Sequence, residues 1–269
     1  MAFSRCRMFL QKYCSVLSPT SFREIAFPKC HWRPYCLAKL VSHHASYSHF
    51  QSTDRSFSTS SLLMLSTVTK ELRKPYLMAT DPETEAILAE DMLVFPDFLS
   101  EEEEQSLLNE VEPYMKRLRY EFDHWDNAIH GYRETEKLQW NVSNQKILQR
   151  VRHLAFPPGI PQIAYVHVLD ISKEGYIKPH VDAIRFCGNT IAGMCLLSSC
   201  VMRLALEADN SRHGDVLLKR RSLYIMRHKA RYNYTHEVLS QERSVFKGEV
   251  IPRDRRISVI CRNEPEKLD

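Results

Sequence analysis

Two histidines and one aspartate are the residues of this chain whose types and spacing suit a metal ion. His180-Val-Asp182 sets an imidazole and a carboxylate two positions apart in a stretch rich in strand-forming residues. Side chains on a β-strand alternate between its faces, so residues i and i+2 point the same way. His236 follows on a later predicted strand. Two imidazoles and one carboxylate form the facial donor set of non-heme Fe(II) oxygenases, which leaves coordination positions open for a cosubstrate and O2. The motif alone does not choose the site, because a second His-x-Asp, His124-Trp-Asp126, precedes it.

The sequence after His236 separates the two. Arg256-Ile-Ser-Val-Ile-Cys-Arg262 reads as a strand with an arginine at each end. Alternation places Arg256, Ser258, Ile260 and Arg262 on one face, and Ile257, Val259 and Cys261 on the other. Six residues of strand span about 20 Å. Two arginines leaning inward from that span can grip opposite ends of a short dicarboxylate, each with a bidentate fork. If His180 served instead as the distal histidine of the earlier motif, only Arg203 would follow at similar spacing, and without a partner. His180, Asp182 and His236 are therefore the expected metal ligands and catalytic centre.

These residues need a scaffold of strands, and the carboxyl-terminal half supplies it. Short β-branched and aromatic runs are predicted as strands at 163–171, 176–181, 190–197, 201–206, 215–218, 223–226, 231–238 and 256–262. Before them, Ser100 followed by Glu103 is a capping box, and Leu107, Leu108, Val111 and Met115 recur at helical spacing. A second helix is expected over 143–155, with Ile147, Leu148, Val151 and Leu154 on one face and the proline-rich 157–161 ending it. The expected fold is α+β, mainly β: a double-stranded β-helix (jelly-roll) core supported by amino-terminal helices. The expected organisation is a transit segment at 1–61, a linker and extension at 62–98, a helical support at 99–161, the core at 162–263 and a tail at 264–269.

Charge and cysteine usage bound the function classes. The net charge of +4 is misleading, because the first seventy residues hold nine basic and two acidic side chains. The rest of the chain is slightly acidic, which does not suggest a general grip on a phosphate backbone. The start is rich in Arg and Ser and poor in acids, the composition of a mitochondrial transit peptide, and Arg55-Ser-Phe-Ser-Thr-Ser-Ser61 resembles a matrix-processing site. No apolar run is long enough to span a bilayer. Cys187, Cys195, Cys200 and Cys261 lack CxxC spacing and read as small buried hydrophobes.

Three further stretches carry a resemblance: Asp123-His-Trp-Asp-Asn-Ala-Ile-His-Gly-Tyr-Arg-Glu-Thr-Glu-Lys137, Gly175-Tyr-Ile-Lys-Pro-His-Val-Asp182 and Phe186-Cys-Gly-Asn-Thr-Ile-Ala-Gly193. With the His180/Asp182/His236 set and the Arg256–Arg262 strand, they make roughly residues 90–263 resemble the AlkB-like Fe(II)/2-oxoglutarate-dependent dioxygenases. The resemblance implies Fe(II) on His180, Asp182 and His236, and 2-oxoglutarate on Tyr224, Arg256, Ile257, Ser258 and Arg262. It implies a reaction that consumes O2, converts 2-oxoglutarate to succinate and CO2, and hydroxylates or demethylates a substrate. It further implies a role in fatty-acid metabolism and programmed necrosis; a matrix location, a protein substrate and a monomer are expected beside it.

Two departures bear on the substrate. No long basic, aromatic-studded hairpin precedes the core to grasp a flipped base. Val168-Leu-Asp-Ile171 lacks the asparagine and tyrosine that nucleic-acid-repairing relatives carry near the cosubstrate, and His167 is a candidate to compensate. The alternative is demethylation of mitochondrial RNA, for which Lys219-Arg-Arg221, Arg227-His-Lys229 and Arg231 would form the basic patch.

Overall fold

The structure, a computed structural model, describes residues 74–122 and 128–266. The expected transit segment and the His124-Trp-Asp126 motif lie outside the described residues. In chain order the elements are β1 (Leu77–Ala79), α1 (Pro82–Asp91), β2 (Met92–Phe95), α2 (Glu101–Met115), β3 (Ile129–Lys137), α3 (Val142–Ala155), β4 (Val166–His180) and β5 (Thr190–Leu196). There follow β6 (Cys200–Leu206), β7 (Asp209–Leu218), β8 (Leu223–Arg227), α4 (His228–Tyr232), β9 (Tyr234–Val238), a 3-10 turn (Gln241–Arg243), β10 (Val245–Phe246), β11 (Glu249–Val250) and β12 (Arg256–Arg262).

Helix α2 starts where its sequence says it should. The Glu103 backbone N–H donates to Ser100 Oγ at 3.2 Å, and the Ser100 N–H donates to Glu103 Oε2 at 3.0 Å. The acidic first turn complements the positive end of the helix dipole. Glu104 departs from this surface pattern. It is buried and accepts from the Leu197 N–H at 2.8 Å and from Arg220 Nε, tying the helix to the end of β5. Ser100→Ala should cost about 1 kcal/mol of stability. A urea melt would show this, while Fe(II) affinity stays unchanged because no expected ligand lies on α2.

Helix α3 is capped by Asn141, whose Oδ1 accepts from the Asn144 N–H at 2.9 Å. Ile147, Leu148 and Val151 are buried as expected, but Leu154 is exposed and Ala155 is buried in its place. Around the helix, Ile147, Leu148, Val151 and Ala155 form a stripe centred between Val151 and Ala155, and Leu154 falls just beyond its Ile147 edge, where it meets solvent.

The larger corrections fall outside the strongly periodic segments. Residues 77–95, expected as an extension, contribute β1, which pairs with β7, and β2, which pairs with β8. Between them α1 is capped by Asp81, with Pro82 opening the helix. Asp-Pro is a helix-start signal, but only Thr84, Leu88 and Asp91 of this helix are buried, so no apolar stripe announces it. Within the expected helical support, β3 pairs along β4. The strand expected over 231–238 is only Tyr234–Val238, because His228–Tyr232 closes one helical turn first. The two strands expected at 163–171 and 176–181 are one, β4, with a bulge between Ile177 and His180.

One antiparallel sheet runs β1-β7-β6-β9-β4-β12-β5-β8-β2, with β3 beside β4. This curled, mainly β sheet is the jelly-roll core expected. The period of two sorts the side chains. Ala192, Met194, Leu196, Leu223, Ile225, Ile257, Val259 and Cys261 pack with the apolar faces of α2 and α3. Their alternate neighbours Ile191, Cys195, Tyr224, Met226 and Ile260 belong to the inner core. Burying each such Leu, Ile or Val side chain contributes about 1.5–3 kcal/mol.

Candidate functional site

Strands β4 and β9 bring the two histidines together. Their register places His180 opposite His236, with ring centroids 4.3 Å apart. Asp182, just past the end of β4, reaches back to both. Its Oδ1 lies 3.2 Å from His180 Nε2 and 3.7 Å from His236 Nε2. One ligand atom from each residue falls within 4.8 Å of the others. Metal–ligand bonds of about 2.0–2.2 Å put donors on adjacent octahedral positions about 3 Å apart. The spacing of these atoms suits a small divalent cation.

Protonation suits it too. The backbone oxygen of Lys178 lies 2.9 Å from His180 Nδ1. A proton on Nδ1 donated to that carbonyl leaves the Nε2 lone pair directed at the shared point, the usual second contact of a metal-binding histidine. Burial, together with the neighbouring His180, pushes His236 down to about 3, so its ring is neutral at physiological pH. Burial alone would raise Asp182, but the His180 hydrogen bond and the charges of His236, His180 and Arg231 hold it well below the usual carboxylate range. A neutral His236 imidazole and an ionised Asp182 carboxylate are states in which such groups ligate.

The expected cosubstrate residues divide by face. Arg256 and Ser258 are buried on the inner face of β12, as alternation requires. Arg256 Nη2 donates to Cys195 Sγ at 3.1 Å, and its Nε has no partner. Tyr224 is buried in the same region. A methyl group on Gly193 would come within 2.5 Å of its ring, so only glycine at 193 leaves room for the tyrosine. Burial raises the Tyr224 hydroxyl, keeping it a donor near neutral pH. Arg262 sits at the far end of the same face, with Nη2 donating to Glu136 Oε1 at 3.1 Å. Ile257 is different: its side chain packs under the helices on the opposite face, so it brings no side chain to this pocket.

The other residues singled out from sequence serve the scaffold or neighbour the site. His167 Nε2 lies 2.9 Å from Glu134 Oε2 across the β3–β4 pair. Asp170, where a cosubstrate residue was absent, is fully buried and accepts from Arg133 Nε at 2.7 Å, Arg255 Nη2 at 2.7 Å and the Tyr120 hydroxyl at 3.1 Å. It locks β4 to β3 and to the start of β12. Cys187, Cys195, Cys200 and Cys261 are all free and buried. Two of them also accept from buried arginines, Cys187 from Arg231 at 3.2 Å and Cys195 from Arg256.

Several arginines of the basic patch considered for RNA are engaged within the protein, while Lys219 and Lys229 stay exposed. Arg220 pairs with Glu104, Arg221 with Glu101, and Arg227 donates to the Glu90 backbone oxygen at 3.2 Å. Arg231 is completely buried beside Cys187, and among the described residues its Nε and Nη1 have no partner. Sequence reading missed Arg231 as a neighbour of Asp182, and it missed Arg253, which is buried near Arg256. Neither lies at a periodic position that would have marked it.

No family model matches the chain. Among curated proteins, the mouse alpha-ketoglutarate-dependent dioxygenase alkB homolog 7, mitochondrial, is 52% identical over 181 residues, which is 67% of this chain and 82% of that protein. The cattle protein of the same name is 53% identical over 181 residues, with the same coverage. An uncharacterized protein of Acanthamoeba polyphaga mimivirus is 25% identical over 183 residues, 63% of this chain and 83% of the viral one. Of solved structures, a Pseudomonas putida prolyl-4-hydroxylase covers 69% of this chain and 98% of its own, with a TM-score of 0.45 at 15% identity.

Proposed function

The chain belongs to the alkB-homolog family of Fe(II)- and alpha-ketoglutarate-dependent dioxygenases, and from that premise we propose that His180, Asp182 and His236 hold the metal. The carrying observation is the convergence of three donors within 4.8 Å, with Asp182 ionised and His236 neutral as ligation needs. Bound Fe(II) supplies O2 activation coupled to oxidation of 2-oxoglutarate, the keto acid of the family's name, to succinate and CO2. The rest falls to this chain's own side chains. Tyr224 donates from a buried hydroxyl, Arg256 offers a buried guanidinium, and Ser258 and Arg262 share its face. The Lys178 carbonyl fixes the tautomer of His180. Arg256, Tyr224 and Ser258 are buried beside the inner core, and burial strengthens charged contacts.

The substrate reading is a protein side chain, hydroxylated or demethylated by a monomeric enzyme. It is supported by the slightly acidic body and by the pairing of Arg220 and Arg221 with Glu104 and Glu101, which offsets their charge. Among the described residues no helix is long and apolar enough to cross a membrane. The relatives' names place them in mitochondria. The acid-poor start supports the same address here, with residues 1–61 as a transit segment delivering the chain to the matrix. A role in fatty-acid metabolism and programmed necrosis is part of the same reading. Succinate release by the Fe(II)-loaded protein, with peptide, RNA and lipid pools offered separately, tests the substrate class. Stimulation by RNA alone would replace the protein reading. Mass spectrometry of the protein from isolated mitochondria should find a new amino terminus near residues 55–64; an intact Met1 in cytosol would end the transit assignment.

A further inference from the structure

A second buried arginine lies within range of the Arg256 charge and, among the described residues, pairs with no carboxylate. Arg253 is 3% exposed and Arg256 1%. Arg253 Nη2 donates to the Gly175 backbone oxygen at 3.2 Å, and among the described residues its Nε and Nη1 have no partner. Arg256 donates through Nη2 to the Cys195 sulfur, and among the described residues its Nε is likewise unpartnered. Among the described residues, neither guanidinium takes part in an ion pair with a carboxylate. The two are near enough to act on each other's charge, and both lie against Cys200. Burial pushes the Cys200 thiol up, so it remains neutral and offers no counter-charge. Two cations buried side by side without an anion are costly, and buried charges are otherwise paired. The three unpartnered N–H groups point to a carboxylate that arrives from outside.

We propose that Arg253 is a second guanidinium for the distal carboxylate of 2-oxoglutarate, acting beside Arg256. The inference rests on the cosubstrate reading above and assigns a residue outside the Arg256–Arg262 strand. Tyr224, whose hydroxyl also feels the Arg256 charge, completes the donor set at that end. A carboxylate shared by two arginines is held at both oxygens, and this selects for a dicarboxylic keto acid over a monocarboxylic one. The Gly175 contact fixes one nitrogen of Arg253 to β4 and leaves the other two N–H positions for the ligand.

The test compares 2-oxoglutarate with oxalate, a mimic of the keto-acid end that lacks the distal carboxylate. Both are titrated anaerobically into the full chain loaded with Fe(II), for wild type, Arg253→Met and Arg253→Lys. Charge-assisted bonds contribute about 1.5–3 kcal/mol, so Arg253→Met should weaken 2-oxoglutarate roughly ten- to a hundredfold while oxalate changes less than about twofold. Lysine should recover part of the loss, keeping the charge without the planar fork. An equal loss for both ligands would mean that Arg253 only braces β4 through Gly175, and unchanged affinity in a folded Arg253→Met protein would mean that it plays no part; either overturns the proposal. Wild type that binds Fe(II) and oxalate but not 2-oxoglutarate would overturn the cosubstrate reading itself, a result distinct from both.

Discussion

His180→Ala and Asp182→Ala should each abolish Fe(II) binding, while His124→Ala and Asp126→Ala leave it intact. Outer contacts of a metal site typically contribute ten- to a hundredfold in affinity, so loss of a ligand atom should exceed that, on the order of a thousandfold or more. The expectation follows from the convergence of His180 Nε2, His236 Nε2 and Asp182 Oδ1, and from the Lys178 carbonyl that orients the first ring. Anaerobic Fe(II) titration followed by calorimetry, with Co(II) as a spectroscopic surrogate, measures all four variants. Circular dichroism separates lost binding from lost fold. Metal lost only in the His124 and Asp126 variants would move the centre to the earlier motif.

Arg256→Met should leave Fe(II) affinity as it is and weaken 2-oxoglutarate by roughly tenfold to more than a hundredfold, at about 1.5–3 kcal/mol for each charge-assisted bond. The methionine keeps most of the volume, so the inner core stays filled. It also removes a buried cation that has no anionic partner in the protein alone. The unliganded variant should therefore melt no lower than wild type, an outcome opposite to that of removing a structural salt bridge. What disappears is stabilisation by the ligand, which for wild type at a hundred times Kd is about 2.7 kcal/mol. Arg256→Lys should fall between the two, because ammonium keeps the charge and loses the fork. Thermal melts with and without 2-oxoglutarate, run beside the titration, decide it. A folded Arg256→Met protein with wild-type affinity would remove this arginine from the pocket.

Much of this was legible because it depends on short-range periodicity. The alternation that separates Arg256 and Ser258 from Ile257 and Val259 is a property of any extended chain with one face against a core. The Ser100 and Glu103 pair marks a helix start through contacts three residues apart. The His180-Val-Asp182 spacing and the later His236 name the donors, since a metal's demand for ligand types is written in side-chain chemistry.

What only the tertiary structure decided involves residues whose partners lie far along the chain. Asp170 carries no sign in sequence that Arg133 and Arg255 will converge on it, because the β3–β4 and β12–β4 registers create that meeting. Arg220 and Arg221 read as a basic surface until Glu104 and Glu101 are placed against them. Arg253 lies in a charged run before β12 that resembles any solvated turn, yet the curl of the sheet buries it against Gly175 and Arg256. Periodicity fixes which way a side chain points from its own strand. Burial and charge pairing depend on what the rest of the chain brings to that face, and that is settled only when the sheet closes.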